Sequence, residues 1–230
     1  LDQDKKSWIV GCIILALVLG TWTYGLTLAP SEEHQGEVYR IIYLHVPAAF
    51  AAFFAAFTML IFAIKGLASR EEAPLRVQKA AAEVGLAFTI LTLATGSIWG
   101  KPTWNTWWTW DARLTTTFLL AILYAAFILL HGALSAGRQR VTVCSVLSII
   151  IFADVPIIYK SVTWWRTLHQ PQSILRKGGS TVAPEILWPL LASLFILLVF
   201  SFWLIRQRAR NLHLRDELET ASFASGGQAS

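Results

Sequence analysis

Six apolar stretches, at about 8–29, 41–64, 84–98, 114–130, 141–159 and 186–205, constrain this chain more than any other feature. A helix needs about 20 apolar residues to cross the hydrocarbon layer of a bilayer. Inside that layer every backbone polar group must be bonded within the protein, a condition that helices meet span by span. Charged residues make up 14% of the chain, against about 25% in a soluble domain. The expected fold is all-α: a polytopic membrane protein whose residues 1–210 form a six-helix transmembrane bundle. A charged tail follows at 211–230, its end expected to be partly disordered. The third run is short unless Trp99 and Gly100 extend it, and the fifth contains Asp154 and Pro156. The first run is too long, and lacks the small-residue cleavage site, for a signal peptide. No separate soluble domain and no internal repeat is visible.

Six spans put both termini on one side. Lys5, Lys6, Lys65, Arg70, Arg76, Lys79, Arg138, Arg140, Arg206, Arg208, Arg210 and Arg215 fall on that side, twelve of nineteen basic residues. The excess makes it the cytoplasmic side. These loops call for no nucleic-acid partner, because orientation in the lipid bilayer accounts for them. Arg40, Lys101, Arg113, Lys160, Arg166, Arg176 and Lys177 lie on the outer side and need another explanation. The two cysteines, Cys12 and Cys144, both sit in apolar runs and form no C-x-x-C pair, which argues against a thiol oxidoreductase and a structural zinc site.

The segment 99–113 is the second outer loop. It holds Trp99, Trp104, Trp107, Trp108 and Trp110, five of the chain's eleven tryptophans, followed by Asp111 and Arg113. An interfacial aromatic belt explains one or two rings at each membrane edge. Five on one edge suit a flat, partly apolar ligand. Pro102 and Thr103 can start a short helix. Trp104, Trp107, Trp108 and Asp111 would then share one face, with Trp110 pointing elsewhere. Asp111 would orient a neighbour, with Arg113 as a candidate donor; the plain reading of that pair is a surface ion pair of little energetic value.

The outer side also carries His34, His45 and His169. Imidazole binds iron well, and two histidines on opposite faces of a porphyrin would fill both axial positions. His34 stands among Glu32, Glu33 and Gln35, which favours a solvated role and makes it the reserve. His45 precedes Val46-Pro47 at a partly buried depth, where polar groups are costly unless used. His169 follows Trp164-Trp165-Arg166. His45 and His169 are therefore the expected axial ligands. Arg113 and Arg166, beside the aromatic clusters, are the expected partners of the two porphyrin propionates, since guanidinium forks hold carboxylates in bidentate fashion. Asp154 is an intramembrane carboxylate and a functional candidate by default; its bland reading is a hydrogen bond near Pro156.

These residues resemble the haem-handling membrane proteins of cytochrome c maturation, marked by a tryptophan-rich, aspartate-ended (WWD) loop. Within that group the chain is similar to the haem exporter protein C family. The resemblance covers all six spans and is most specific from Trp99-Gly100-Lys101-Pro102 through Trp107-Trp108-Thr109-Trp110-Asp111-Ala112-Arg113-Leu114-Thr115. The family's loop usually has glycine after its second tryptophan, where this chain has Asn105. His45 and His169 match the family's two flanking histidines. The resemblance implies a non-enzymatic protein that holds haem b (iron protoporphyrin IX) at the periplasmic face of the bacterial inner membrane. It also implies transfer to a haem chaperone with a single membrane anchor, and work alongside a two-subunit ABC transporter and a very small single-span protein. The chain's lack of a nucleotide-binding motif agrees with ATP use by a partner.

Three other readings fit less well. A membrane b-type cytochrome would place histidines within the bundle, often at two depths, yet His131 has no evident partner. A transporter permease would show paired broken helices or a polar pathway, and Asp154 alone stands for one. Some oligosaccharyltransferases share a Trp-Trp-Asp motif, but theirs continues Tyr-Gly where this chain has Ala112-Arg113, and no hydrolase motif is present.

Overall fold

The computed structural model describes residues 2–170 and 178–226, with side chains from 5 to 170 and 178 to 222. It is all-helical apart from turns: α1 (Asp2–Thr27), α2 (Ile42–Ser69, entered through a 3-10 turn at Glu37–Ile41), α3 (Ala73–Trp104), α4 (Ala112–Ala133), α5 (Arg138–Trp164) and α6 (Pro184–Gly226). All six are long and apolar enough to cross a membrane. Each extends past the hydrophobic run that announced it at one end or both, because hydropathy marks the hydrocarbon layer while the helices continue into the interface on polar residues. The third is therefore not short: α3 spans 32 residues. Likewise α6 continues through the expected tail boundary at 211 to Gly226; residues 227–230 lie outside the described residues.

Helices α2 to α5 pack in cyclic order, each against the next and α5 against α2, with α6 laid across α2 and α3 and α1 resting on α6. Small residues permit this closeness. Ala48, Ala51, Ala52, Ala55, Ala56 and Ala63 of α2 and Ala80, Ala81 and Ala82 of α3 are all essentially inaccessible. At Gly85 a Cβ would come 2.4 Å from the ring of Tyr124, whose hydroxyl donates to the Ala52 carbonyl at 2.8 Å. A bulky ring from α4 thus fills the centre of the four-helix group and bonds to its far wall.

Pro47 lies inside α2 and cannot donate to the Tyr43 carbonyl one turn back. The Ser193 hydroxyl of α6 donates to that carbonyl instead, at 3.1 Å, which satisfies a polar group that hydrocarbon would leave unpaired. A buried cluster does similar work lower down. Gln78 donates to the Phe62 carbonyl at 3.0 Å and accepts from Ser148 at 2.8 Å, tying α2, α3 and α5 together. Toward the end that holds the termini, Glu72 pairs with Arg140 and accepts from the Gly137 N–H, Arg208 pairs with Glu83, and Arg76 with Asp216.

Candidate functional site

Where α3 stops fixes the site. The helix runs through Pro102 to Trp104 and ends at Asn105, whose φ of 56° is left-handed. Only glycine, asparagine and aspartate visit that conformation readily. Lys101 reaches over to bond the Asn105 carbonyl and side chain, at 3.4 and 3.3 Å. Residues 106–111 then run without helical structure, and Asp111 caps α4 by accepting from the Leu114 N–H at 2.8 Å. The short helix expected from Pro102 to Asp111 is thereby corrected. Trp104 belongs to the last turn of α3, Trp107 and Trp108 lie in the loop, and Asp111 opens the next helix, so the four share no helical face. The physical reason is that α3 carries Pro102 inside it, leaving the Ile98 carbonyl without its usual donor one turn on, while Asn105 supplies the stop that the sequence reading placed earlier.

A cavity opens at this end of the α2–α5 group, lined among others by His45, Trp99, Trp104, Arg113, Tyr159 and His169. Its walls are apolar, from Phe50, Phe53, Leu93, Leu114, Leu120 and Ile158, and its floor carries Thr89, Thr92 and Thr117. His45 stands in the first turns of α2, against Gly96 of α3, where a Cβ would come 3.0 Å from the imidazole. Its Nδ1 is 3.1 Å from Thr95 Oγ1. Trp99 meets the His45 ring edge to face, centroids 5.7 Å apart, meets Tyr39 in the same way, and donates its indole N–H to Gln35 at 2.8 Å. On the other side Trp104 packs on His169 with centroids 4.9 Å apart.

Asp111 does not bond Arg113. Its Oδ2 takes the Thr167 hydroxyl at 2.9 Å, the Leu168 N–H at 3.3 Å and the His169 Nδ1 at 3.2 Å. One carboxylate therefore caps α4 and pins the loop that follows α5. Burial pushes the Asp111 carboxyl upward, but the hydrogen bonds from His169, the Leu114 N–H and Thr167 outweigh it and hold it well below the usual carboxylate range. Arg113 instead donates through Nη2 to the Tyr159 carbonyl at 3.3 Å, and its Nε is buried without a partner.

The structure thus brings His45, His169, Trp104 and Arg113 to one cavity, with Asp111 directly behind His169. It does not bring Trp107, Trp108, Trp110 or Arg166 there. Trp108 and Trp110 pack on each other and on Phe118 at the outside of α4. Trp107 and Trp110 are exposed, at 59% and 71%, and Arg166 is exposed too. His34 is exposed and outside the cavity. Arg40 is accounted for by helix capping: it bonds the Ala29 and Thr27 carbonyls at the end of α1. Arg176 and Lys177 lie outside the described residues. Asp154 is buried inside the bundle, its Oδ2 without a partner, and does not line the cavity. The sequence reading counted Trp99 in the tryptophan segment without giving it a place in the site, and missed Gln35 and Thr95. The signal was present: Thr92, Gly96, Trp99 and Thr103 fall at helical spacing on one stripe of α3, but ending the third span at 98 cut that stripe.

Two imidazoles, one guanidinium with an unused donor and two indoles around an apolar cavity suit an amphiphilic, metal-bearing planar ligand. Comparison with known proteins gives the family. The family model described as heme exporter protein C matches residues 1–224. Heme exporter protein C of Bradyrhizobium diazoefficiens is 36% identical over 97% of this chain and 88% of its own length. The protein of that name from Escherichia coli K12 is 39% identical over 91% of this chain and 84% of its own. A ccmC-like mitochondrial protein of Marchantia polymorpha, named for cytochrome c biosynthesis, is 38% identical over 84% and 81%. With six helices long and apolar enough to span a bilayer, the chain is a multi-pass membrane protein and belongs to the heme exporter protein C family.

Proposed function

We propose that this protein holds haem b in the cavity between His45 and His169 and hands it to a haem chaperone with a single membrane anchor during cytochrome c maturation. The observation that carries the reading is the convergence of those two imidazoles, from residues far apart in sequence, on one apolar cavity walled by Trp99 and Trp104. Among the described residues no group of three or more His, Cys, Asp or Glu could hold a bare metal ion. A metal here would need a ligand that fills its other positions, and a porphyrin does so. Arg113, with its buried and unpartnered Nε, suits a propionate. Arg166, exposed and outside the cavity, is left to contact the partner, and Trp107, Trp108 and Trp110 lie in the loop between α3 and α4, outside the cavity.

The excess of basic residues at the opposite end supports a site on the periplasmic side of the bacterial inner membrane, with cytoplasmic termini. On the family resemblance we further propose partnership with a two-subunit ABC transporter and a very small single-span protein, with ATP hydrolysis left to the transporter and no enzymatic role for this chain.

The test is an absorption spectrum of purified protein with a pyridine haemochrome assay. Wild type should show a Soret band. His45→Ala and His169→Ala should each weaken it, with partial recovery in added imidazole. An unchanged spectrum in both variants would falsify the axial pair.

A further inference from the structure

The two imidazoles are backed by different chemistry. Thr95 Oγ1 lies 2.7 Å from the Leu91 carbonyl, 3.2 Å from the Thr92 carbonyl and 3.1 Å from His45 Nδ1. A hydroxyl has one proton, and the carbonyls can only accept it. The 2.7 Å contact gives that proton to the Leu91 carbonyl, so the oxygen accepts from His45, and the proton of the neutral ring sits on Nδ1 and the lone pair on Nε2. On the other side, Asp111 is surrounded by donors: the Leu114 and Leu168 N–H groups, the Thr167 hydroxyl and the His169 ring. A carboxylate so placed is acceptor-only, so His169 also carries its proton on Nδ1 and offers Nε2. Both rings are set to bind iron through the same atom. One leans on a neutral hydroxyl, the other on an anion.

From this asymmetry we infer that Asp111 is a positioning residue that makes His169 the firm ligand of bound haem, while Thr95 leaves His45 the ligand that is displaced first. The inference rests on the axial pair proposed above. A carboxylate behind a ligating imidazole draws on the Nδ1 proton and raises the basicity of Nε2, and a hydrogen bond to a charged group is stronger than one between neutral partners. Mechanics point the same way. Asp111 also holds Thr167 and Leu168, and the His169 N–H bonds the Thr167 hydroxyl at 3.0 Å, so the ligand, its tether and the cap of α4 form one unit. Hand-over to an acceptor with its own ligand then begins at His45, while His169 keeps the iron in place until the new bond has formed.

Chemical rescue separates this from a merely structural role. Full-length His169→Gly and His45→Gly proteins, loaded with haem b, are titrated with imidazole and with 1-methylimidazole, which has no N–H to donate. The return of the six-coordinate low-spin spectrum is read. For His169→Gly, imidazole should half-saturate at a concentration at least about tenfold lower than 1-methylimidazole. For His45→Gly the ratio should stay within about threefold. Adding Asp111→Asn to His169→Gly should bring the larger ratio down toward the smaller one. Equal ratios at the two sites, or a ratio that Asp111→Asn leaves unchanged, overturns the inference. The midpoint potential gives a second readout that needs no double variant: Asp111→Asn should move it to more positive values and Thr95→Val should move it less, and equal shifts would count against the asymmetry. If neither glycine variant alters the haem spectrum, the axial pair itself fails rather than its asymmetry.

Discussion

Asn105 shows how much rests on one residue. The family resemblance implies a loop that usually carries glycine after its second tryptophan, and this chain carries asparagine. The left-handed φ of 56° explains why either serves. Had α3 continued, Trp104 would have pointed along a longer helix and Asp111 could not have capped α4. Asn105→Gly should therefore leave thermal stability within about 1 kcal/mol of wild type. Asn105→Val, β-branched in a left-handed position, should cost about 1–3 kcal/mol and lower haem retention with it. Thermal unfolding and the haem-to-protein ratio of the two variants check this; equal behaviour would show that the stop of α3 does not depend on residue 105. The stop was not legible because asparagine reads equally well as loop, cap or solvated side chain, and only its backbone angle decides.

At the scale of elements, contact between helices depends on what is missing from their surfaces. Gly85 lets Tyr124 of α4 lie against α3 and reach the Ala52 carbonyl of α2. Gly85→Val would drive a side chain into that ring. The expected cost is about 1–3 kcal/mol from overpacking, with loss of the tyrosine hydrogen bond and a disturbed cavity floor above it. Gly20 of α1 is the matched control, since a Cβ there meets nothing within 4 Å, and Gly20→Val should be nearly silent. A melting temperature that falls equally for both would mean that packing against Tyr124 does not set the effect. The spans themselves were readable because apolar composition reports the bilayer directly. Their true ends were not, because polar residues at a helix end and in a loop look alike in composition.

For the whole molecule, the tryptophan segment is split between the cavity and the outside of the bundle. Trp99 and Trp104 line the cavity, while Trp107 and Trp110 stand outside it and Trp108 packs on Phe118. Replacing Trp107 and Trp108 together with alanine should leave haem content within about twofold of wild type, since neither ring touches the cavity. It should impair transfer to the chaperone, because large exposed aromatics at an apolar–aqueous boundary are the side chains that partners bury. Haem content and chaperone loading are measured on the same preparation. Wild-type loading would reduce these rings to lipid anchors, and loss of haem itself would place them closer to the ligand than the structure does.

The residues by themselves determined that the chain crosses the membrane repeatedly, and that His45, the tryptophan segment and His169 fall at one end of the bundle. Apolar length counts the crossings, and alternation of direction then forces the loops to sides. Tertiary structure alone decided which of those side chains meet. Asp111 reaches His169 across 58 positions of sequence and leaves Arg113 to the Tyr159 carbonyl. Trp99, not Trp107, faces His45. Such pairings depend on where α3 ends and on how α2 to α5 close around a shared interior, and no local pattern encodes the angle at which one helix delivers its side chains to another.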